Sequence, residues 1–591
     1  MGKPIGVGLR LAPAKVDVVR RADGSLLLRS PQELGGHARA VGEWLAKWAR
    51  EAPERTFLAE REGEAWKKIS YREALALARR VGGGLLARGL DASRPVAILS
   101  DNSLDHALLA LGAMHVGVPV APISPAYSLM SRDFAKLKSI FELLRPGLVW
   151  TADPAKYAPA LAAIGATATP IADLLARDPG AEVDRAFERV GPDAVAKILF
   201  TSGSTGAPKG VINTQRMLTV NQEQYALVWP FLEDRPQAIV DWLPWNHTFG
   251  GNSNFLMMLR NGGTIWIDAG KPAPGLVETS VRNLKEISPT IYFNVPRGFD
   301  LMLPFLEKDA VLRASFFRNL DWMVYAGAAL PQNLWERMQR LALAERGTPL
   351  PLVSAWGSTE TAPLATCVHY AVDRAGVIGL PVPGCELKLV PAAGKLEVRV
   401  KGPNVTPGYY GRDDLTRAAF DEEGYYRIGD ALKFAAPATP EQGLAFDGRI
   451  AEDFKLSTGT WVHVGATRVK LIAAGDPLIQ DAVIAGHGRD EVGALVFLNA
   501  AAVKAKGLDD AQVREHLRAA LAKLAGDSGP GSSTHPARAL VMSEPPSIDA
   551  NEITDKGYIN QRAVLERRAG LVERLYAEPP SSEVVIVRSA S

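Results

Sequence analysis

The sequence predicts an α/β protein with a large N-terminal domain of mixed, mostly parallel sheets, covering helices and a β-rich submodule, followed by a small α+β C-terminal domain. Three observations lead there. Short apolar runs alternate with amphipathic stretches through most of the chain. The texture becomes strand-rich after about Pro383. The 591 residues exceed what one hydrophobic core accommodates.

The elements follow in order. Thr56–Glu60 and Trp66–Ile69 read as a hairpin. Tyr71–Arg88 reads as an amphipathic helix, with Leu75, Leu77, Val81 and Leu85 at helical spacing and an end near Gly89. Pro95–Leu99 is a strand, Leu104–Val116 a buried helix and Val118–Ile123 another strand. Strand-like runs recur at Gly147–Thr151, Ala194–Thr201, Gln237–Leu243, Gly263–Ile267, Pro289–Val295 and Trp322–Ala326, which is the rhythm of a parallel sheet. Glu386–Val390 and Lys395–Lys401 start the β-rich submodule. A Pro/Ala-rich stretch, Ala435–Gln442, precedes a final segment of about a domain's length, so the main boundary is expected near Ile450, giving domains 1–450 and 451–591. Within the second, Gly526–Pro536 is expected to be a mobile loop.

Composition narrows the class of function. With 67 basic and 65 acidic residues, the formal charge of +2 favours neither a nucleic-acid nor a membrane-surface partner. The two cysteines, Cys367 and Cys385, exclude a disulfide framework and a four-cysteine zinc site. The N-terminus shows no long apolar run, so a cytoplasmic location is expected.

The most informative stretch is Thr201-Ser202-Gly203-Ser204-Thr205-Gly206-Ala207-Pro208-Lys209-Gly210, which follows the apolar run Ala196–Phe200. Glycines let backbone N–H groups approach an anion, hydroxyls add neutral donors, and Lys209 adds charge; together they suit a polyphosphate. The spacing is not that of a Walker A loop, because Pro208 stands where that pattern needs Gly and Gly210 follows Lys209.

This loop resembles the signature of the adenylate-forming superfamily of acyl-CoA synthetases, aryl-CoA ligases and luciferases, and further motifs follow in that family's order. By resemblance, Gly327-Ala328-Ala329 lies against the adenine and acyl sites. Trp356-Gly357-Ser358-Thr359-Glu360 resembles the second adenylate motif, with Trp356 stacking on adenine, Thr359 holding the α-phosphate and Glu360 holding Mg²⁺. Thr201 is a second candidate for the metal. Asp430, in Tyr425-Tyr426-Arg427-Ile428-Gly429-Asp430, resembles the ribose-binding carboxylate, and Arg449 the arginine that contacts ribose and phosphate.

The resemblance also implies a hinge between the domains. At the usual hinge position stands Ala451 instead of Asp or Lys, which can move its polar contacts onto Glu452. Lys455 and Gly459 correspond to the CoA side, Gly459 one residue later than usual. Lys556, in Asn551-Glu552-Ile553-Thr554-Asp555-Lys556-Gly557, corresponds to the catalytic lysine, with Asp555 in place of the common Gly. That motif and Asp241-Trp242-Leu243-Pro244-Trp245-Asn246-His247-Thr248-Phe249-Gly250-Gly251 are most similar to the feruloyl-CoA synthase branch.

His247 is accordingly a candidate for the acid pocket and for orienting the carboxylate, the alternative being a satisfied core histidine. Trp245, Asn246, Phe249 and Tyr325 complete the candidate pocket. Trp242, Trp245 and Phe249 suit either an aromatic acid or core packing.

The resemblance implies ATP, Mg²⁺ and coenzyme A, and an acyl-adenylate that becomes an acyl-CoA thioester. The acid is expected to be ferulate or a related hydroxycinnamate. The alternatives are another aromatic or medium-chain acid, or acyl transfer to a carrier protein. The oligomeric state stays open, a homodimer being one candidate.

Overall fold

The computed structural model describes residues 8–201, 207–392, 394–528, 533–554 and 557–587. The chain divides into two compact units. The first comprises Met1–Val390, Val398–Ile428 and Phe434–Ala445, and the second Pro391–Glu397, Gly429–Lys433 and Phe446–Ser591.

The first unit is built on sheets. In one, Leu148–Thr151, Val96–Leu99, Val120–Ile123 and Val195–Thr201 run parallel in that spatial order, and Lys209–Thr214 closes the edge antiparallel. Another places Ala238–Asp241 and Thr264–Ile267 parallel to Thr56–Glu62, which pairs antiparallel with Ala65–Ser70. A third has a parallel end made of Ile291–Asn294, Trp322–Tyr325 and Leu352–Gly357, followed antiparallel by Leu364–Cys367 and Val377–Pro381. Helices Val277–Glu286, Pro296–Lys308, Ala310–Arg318 and Gln332–Arg346 cover the parallel end and share a core that includes Leu303, Phe316, Met323, Met338 and Leu352.

The helix expected after Ser70 spans Tyr71–Ala87 and starts on a reciprocal cap between Ser70 and Glu73. Its buried face differs from the expected one: Ala74, Ala78, Val81 and Gly82 to Leu85 are buried, while Leu75 and Leu77 are half-exposed. The reason is close helix contact. A Cβ on Gly112 of the helix Leu104–His115 would lie 2.6 Å from the Ala78 carbonyl oxygen, so small residues set the approach of the two helices.

In the second unit, Ile479–Ala485, Gly493–Leu498, Arg538–Val541 and Val585–Ile586 form a four-stranded sheet buried on both faces. Ala494 and Val496 face one core with Leu517 and Leu521, while Leu495 and Phe497 face another with Val564 and Leu575. Helix Asp510–Ser528 runs through Gly526, where a loop was expected; residues 529–532 lie outside the described residues. One glycine costs a helix about 1 kcal/mol, too little to stop the Ala/Leu-rich run before it. Among the described residues no helix is long and apolar enough to cross a membrane, and both cysteines are free and buried.

Candidate active site

The phosphate-loop motif joins the strands Val195–Thr201 and Lys209–Thr214, whose last paired residues are Thr201 and Lys209. Ser202, Gly203, Ser204, Thr205 and Gly206 lie outside the described residues. The returning strand is braced from its far side: the Tyr410 N–H donates to the Gly210 carbonyl at 2.8 Å, and the Ile212 N–H to the Gly408 carbonyl at 3.2 Å. The Lys209 ammonium sits 5.2 Å from the centre of the Tyr409 ring.

Tyr409 links this hairpin to the second motif. Its hydroxyl donates to Oε1 of Glu360 at 3.0 Å and lies 3.3 Å from the Tyr426 hydroxyl. Burial, then the charge of Glu360, holds both phenols above their ordinary range. Glu360 and Thr359 are buried in a short 3-10 turn, Thr359–Thr361. The Glu360 carbonyl accepts the Thr406 N–H at 2.8 Å, and the Ser358 N–H donates to Thr361 Oγ1 at 2.8 Å. Gly357 has no space for a side chain, since a Cβ there would lie 1.7 Å from the Pro363 carbonyl oxygen. Trp356 is buried at 9% exposure and pairs across the sheet with Thr366.

Gly327, Ala328 and Ala329 are exposed beyond the strand Trp322–Tyr325, which runs parallel to Leu352–Gly357 with Tyr325 beside Ser354. Both motifs therefore leave the carboxyl ends of neighbouring parallel strands, the usual location of ligand crevices in α/β sheets. Tyr325 is buried, and its hydroxyl accepts the Gly376 N–H at 2.7 Å.

Of the residues proposed for the acid pocket, Phe249 opens a π-helix, Phe249–Asn254, Trp245, Asn246 and His247 stand just before it, and Tyr325 lies on the strand Trp322–Tyr325. π-Helical turns are rare and frequent at functional sites. Gly250 and Gly251 pack against the preceding segment so closely that a Cβ would lie 2.2 Å from the Leu243 or Trp245 carbonyl oxygen. His247 and Asn246 are half-buried, and Nδ1 of His247 accepts the Phe249 N–H at 3.3 Å. Phe249 packs edge-on to Phe293, with ring centres 6.1 Å apart. Trp245 sits between His106 and Phe255, at 5.3 and 4.9 Å between ring centres, and the Trp242 indole donates to Asn294 Oδ1 at 3.2 Å. Beneath them burial pushes the Asp241 carboxyl up to about 7; it accepts from Asn254 Nδ2 at 3.2 Å and the Leu243 N–H at 3.3 Å.

Within the second unit, Arg449 Nε lies 3.6 Å from Asp430 Oδ1, and the Ile450 N–H donates to the Gly429 carbonyl at 3.1 Å. Asp430 is nearly buried and Arg449 is exposed, so one carboxylate and one guanidinium stand together. Ala451 is exposed. The polar contacts beside it fall on Asp453, which pairs with buried Lys395 and accepts from His463 Nδ1 and the Val464 N–H, both at 3.1 Å. The expected substitute, Glu452, is not the residue in that pair. Lys455 lies in a small hairpin over the Trp461 ring, 5.0 Å from its centre, and Gly459 turns it with φ of +80°.

Lys556 and Asp555 lie outside the described residues; the residues flanking them are bonded to one another. The Thr554 N–H donates to the Tyr558 carbonyl at 2.8 Å and the Gly557 N–H to the Thr554 carbonyl at 2.9 Å. Glu552, fully buried, receives Arg568 Nε at 2.6 Å and Nη2 at 2.9 Å, Arg567 Nη1 at 2.6 Å and the Ser547 N–H at 2.9 Å.

Sequence reasoning passed over Tyr409, Asn213, Asn252 and Lys197. Lys197 left a signal, a lysine in the middle of an otherwise apolar strand. The amides and tyrosine declare themselves only through partners distant in the chain.

An oxygen-ligated cation fits the first unit. Glu360 is a buried carboxylate whose defined partner is a neutral hydroxyl, and among the described residues no group of three or more His, Cys, Asp or Glu forms a full protein cage. Magnesium commonly binds one or two carboxylates plus substrate phosphates and keeps several waters.

Residues 45–410 match the AMP-binding enzyme family, and residues 456–579 match the AMP-binding enzyme C-terminal domain. A long-chain-fatty-acid–CoA ligase of Escherichia coli is 33% identical over 41% of this chain, and the match spans only 45% of that protein's length. A feruloyl-CoA synthase of Amycolatopsis is 28% identical over 67% of this chain and 79% of its own. A 3-hydroxybenzoate–CoA ligase of Aromatoleum is 25% identical over 72% and 80%. Among solved structures, o-succinylbenzoate coenzyme A synthetase from Bacillus subtilis superposes with a TM-score of 0.67 at 18% identity, covering 89% of this chain and 98% of that one. The adenylation domain of a carboxylate reductase from Mycobacterium chelonae gives 0.70 at 21%, covering 92% of each. The chain thus has the fold of these enzymes, and it belongs to the AMP-binding enzyme family of the adenylate-forming superfamily.

Proposed function

We propose that this protein is an ATP-dependent acid–CoA ligase acting on an aromatic acid of the hydroxycinnamate type, ferulate being the first candidate. The observation that carries the reading is the bracing of the phosphate-loop hairpin against Tyr409, which holds the buried carboxylate of Glu360. A polyphosphate cradle and an oxygen ligand for its counter-ion are thus tied to one framework. The likeness to feruloyl-CoA synthase over most of that enzyme's length, with the aromatic residues around the π-helix, supports the aromatic acid.

In this reading the domains divide the work. Residues 1–450 bind ATP and acid; residues 451–591 are mobile about Ala451 and carry Lys556. Thr201, Ser202, Gly203, Ser204, Thr205, Gly206 and Lys209 hold the β- and γ-phosphates. Gly327, Ala328, Ala329, Trp356, Gly357 and Ser358 receive the adenine, Thr359 the α-phosphate, and Asp430 with Arg449 the ribose. Glu360, with Thr201, would hold Mg²⁺, which when bound neutralises charge on the phosphate oxygens.

The acid lies along His247, Asn246, Phe249, Trp245 and Tyr325, with its carboxylate oriented by His247. That carboxylate attacks the α-phosphorus; the bond to the bridging oxygen breaks and pyrophosphate leaves. Lys556 stabilises the charge shared by the carboxylate and the α-phosphate. The CoA thiol, guided past Lys455 and Gly459, then attacks the acyl-adenylate carbonyl, loses its proton, and AMP departs.

The test is a panel of hydroxycinnamic, benzoic and aliphatic acids, assayed for pyrophosphate and thioester with and without CoA. Thioester formed best from hydroxycinnamates is the expected result; preference for an aliphatic acid would reject this specificity. A second reading, transfer of the acyl group to a carrier protein, is favoured by the likeness to a carboxylic acid reductase of Segniliparus rugosus, 25% identical over 68% of this chain. Pyrophosphate release that CoA does not turn into thioester would select it.

A further inference from the structure

The π-helix has a support that the motifs do not mention. Lys197 lies on the strand Val195–Thr201, is 5% exposed, and has no carboxylate partner among the described residues. Its ammonium donates to the Gly251 carbonyl at 2.7 Å and to Asn252 Oδ1 at 3.1 Å. Asn213, its cross-strand neighbour, accepts from Asn252 Nδ2 at 2.7 Å. Gln222, on the helix Gln215–Val228, donates to the carbonyls of Asn252 at 2.8 Å and Ser253 at 3.3 Å.

In a π-helix the backbone partner of each carbonyl is the N–H five residues on, as the Phe255 N–H meets the Gly250 carbonyl, and the second lone pair of a buried carbonyl is open to a side-chain donor. Three consecutive carbonyls of the turn, Gly251 to Ser253, are met by side chains from outside it. Burying a lysine without a carboxylate partner is expensive, and burial lowers this one to about 7. A site that keeps a lysine in an otherwise apolar strand is therefore one where its donors are needed.

Lys197 also stands four residues before Thr201, roughly 13 Å along the same strand. One strand pair thus ends at Thr201 and Lys209, which flank the phosphate-loop motif in the chain, and, through Lys197 and Asn213, grips Asn252 of the turn that begins with Phe249. We infer that Lys197 is a positioning residue for acid recognition. By holding the π-helix in register it sets the placement of Phe249 and His247, and it ties that wall to the nucleotide hairpin. This rests on the proposed acid pocket.

The test uses the full chain. Lys197→Met keeps length and removes the donors; Asn213→Ala, which removes only one of the contacts to Asn252, serves should Lys197→Met fail to fold. The expected result is a rise in the KM for the acid of about 10-fold, the scale of one lost charge-assisted hydrogen bond, with the KM for ATP within about 2-fold. The order of preference among acids should change as well. Lys197→Met and Phe249→Ala should be non-additive in acid KM, since both act through the same wall. Additive effects, equal rises for ATP and acid, or an unchanged acid KM and preference in well-folded variants would overturn the inference. If the wild-type protein adenylates no acid in the panel, the proposed function fails instead, a separate result.

Discussion

The segment that precedes Lys556 in the chain offers a quantitative test of how the second unit is held. Glu552 stands four residues before that lysine, fully buried, and its carboxylate collects four donors: Arg568 Nε and Nη2, Arg567 Nη1 and the Ser547 N–H. Arg568 is itself buried and also donates to the carbonyls of Glu544 and Pro545, both at 2.9 Å. Glu552→Gln keeps the shape but turns one acceptor into a donor facing a guanidinium, and leaves Arg568 without its counter-charge. Breaking a buried pair costs about 3–5 kcal/mol, and the two carbonyls that remain to Arg568 place this substitution at ~3 kcal/mol. For a domain of this size that is a fall in Tm of about 6–12 °C.

The interaction also has a pH signature. The donors hold the Glu552 carboxyl below its ordinary value of 4.5 against the opposing effect of burial. Its contribution is present above pH 4.5 and is lost as pH falls through the depressed folded value, so wild type and Glu552→Gln should converge in acid. Calorimetry across pH 3–7 reads the stability, at roughly one-unit steps. Pyrophosphate release against thioester formation from supplied acyl-adenylate reads the chemistry. Loosening the segment around Glu552 should lower the first by about 10–100-fold, since small misplacements of a reacting group cost on that order, and spare the second. An unchanged Tm, or equal loss in both half-reactions, would refute the reasoning.

Other outcomes follow from the same geometry. Lys556→Ala should cut adenylation by ~10²–10³-fold while thioester formation from supplied acyl-adenylate survives, as single-turnover assays of each half-reaction would register. Gly357→Ala forces a Cβ against the Pro363 carbonyl, and urea unfolding should show a loss of ~3 kcal/mol, the upper end for overpacking because the obstacle is backbone. Asp241, with its carboxyl raised to about 7 against 3.8, keeps its proton when folded over a range where the unfolded chain has lost it. Stability attributable to it therefore falls as pH rises from 3.8 to about 7, and Asp241→Asn should raise Tm at pH 8 more than at pH ~4. A pH-independent difference would contradict that.

Much of the fold was legible because its signals are local. The strand Lys395–Lys401 appears with the expected bounds, and the helix expected over Leu104–Val116 spans Leu104–His115. Apolar spacing and capping residues act over a few positions, so they survive in one dimension. The exceptions are instructive. Leu75 and Leu77 fit the helical period, yet the buried face carries Ala74, Ala78 and Gly82 beside Val81 and Leu85, because the neighbouring helix comes close to the backbone at Ala78. Gly526 and the residues after it look like a loop in isolation, but the preceding helix carries through that glycine to Ser528.

The candidate site divides the same way. Its phosphate loop, its Gly357–Glu360 turn and its Gly429-Asp430 pair are contiguous strings whose order in the chain already specifies the family. The tertiary structure alone decided what holds them: Tyr409 on Glu360 from 49 positions away, Lys197 and Asn213 on a π-helical turn, and Glu552 on Arg568. The physical reason is one of range. Backbone conformation and phosphate-binding chemistry are written in neighbouring residues, whereas the satisfaction of a buried charge or carbonyl depends on whichever segment folding brings against it.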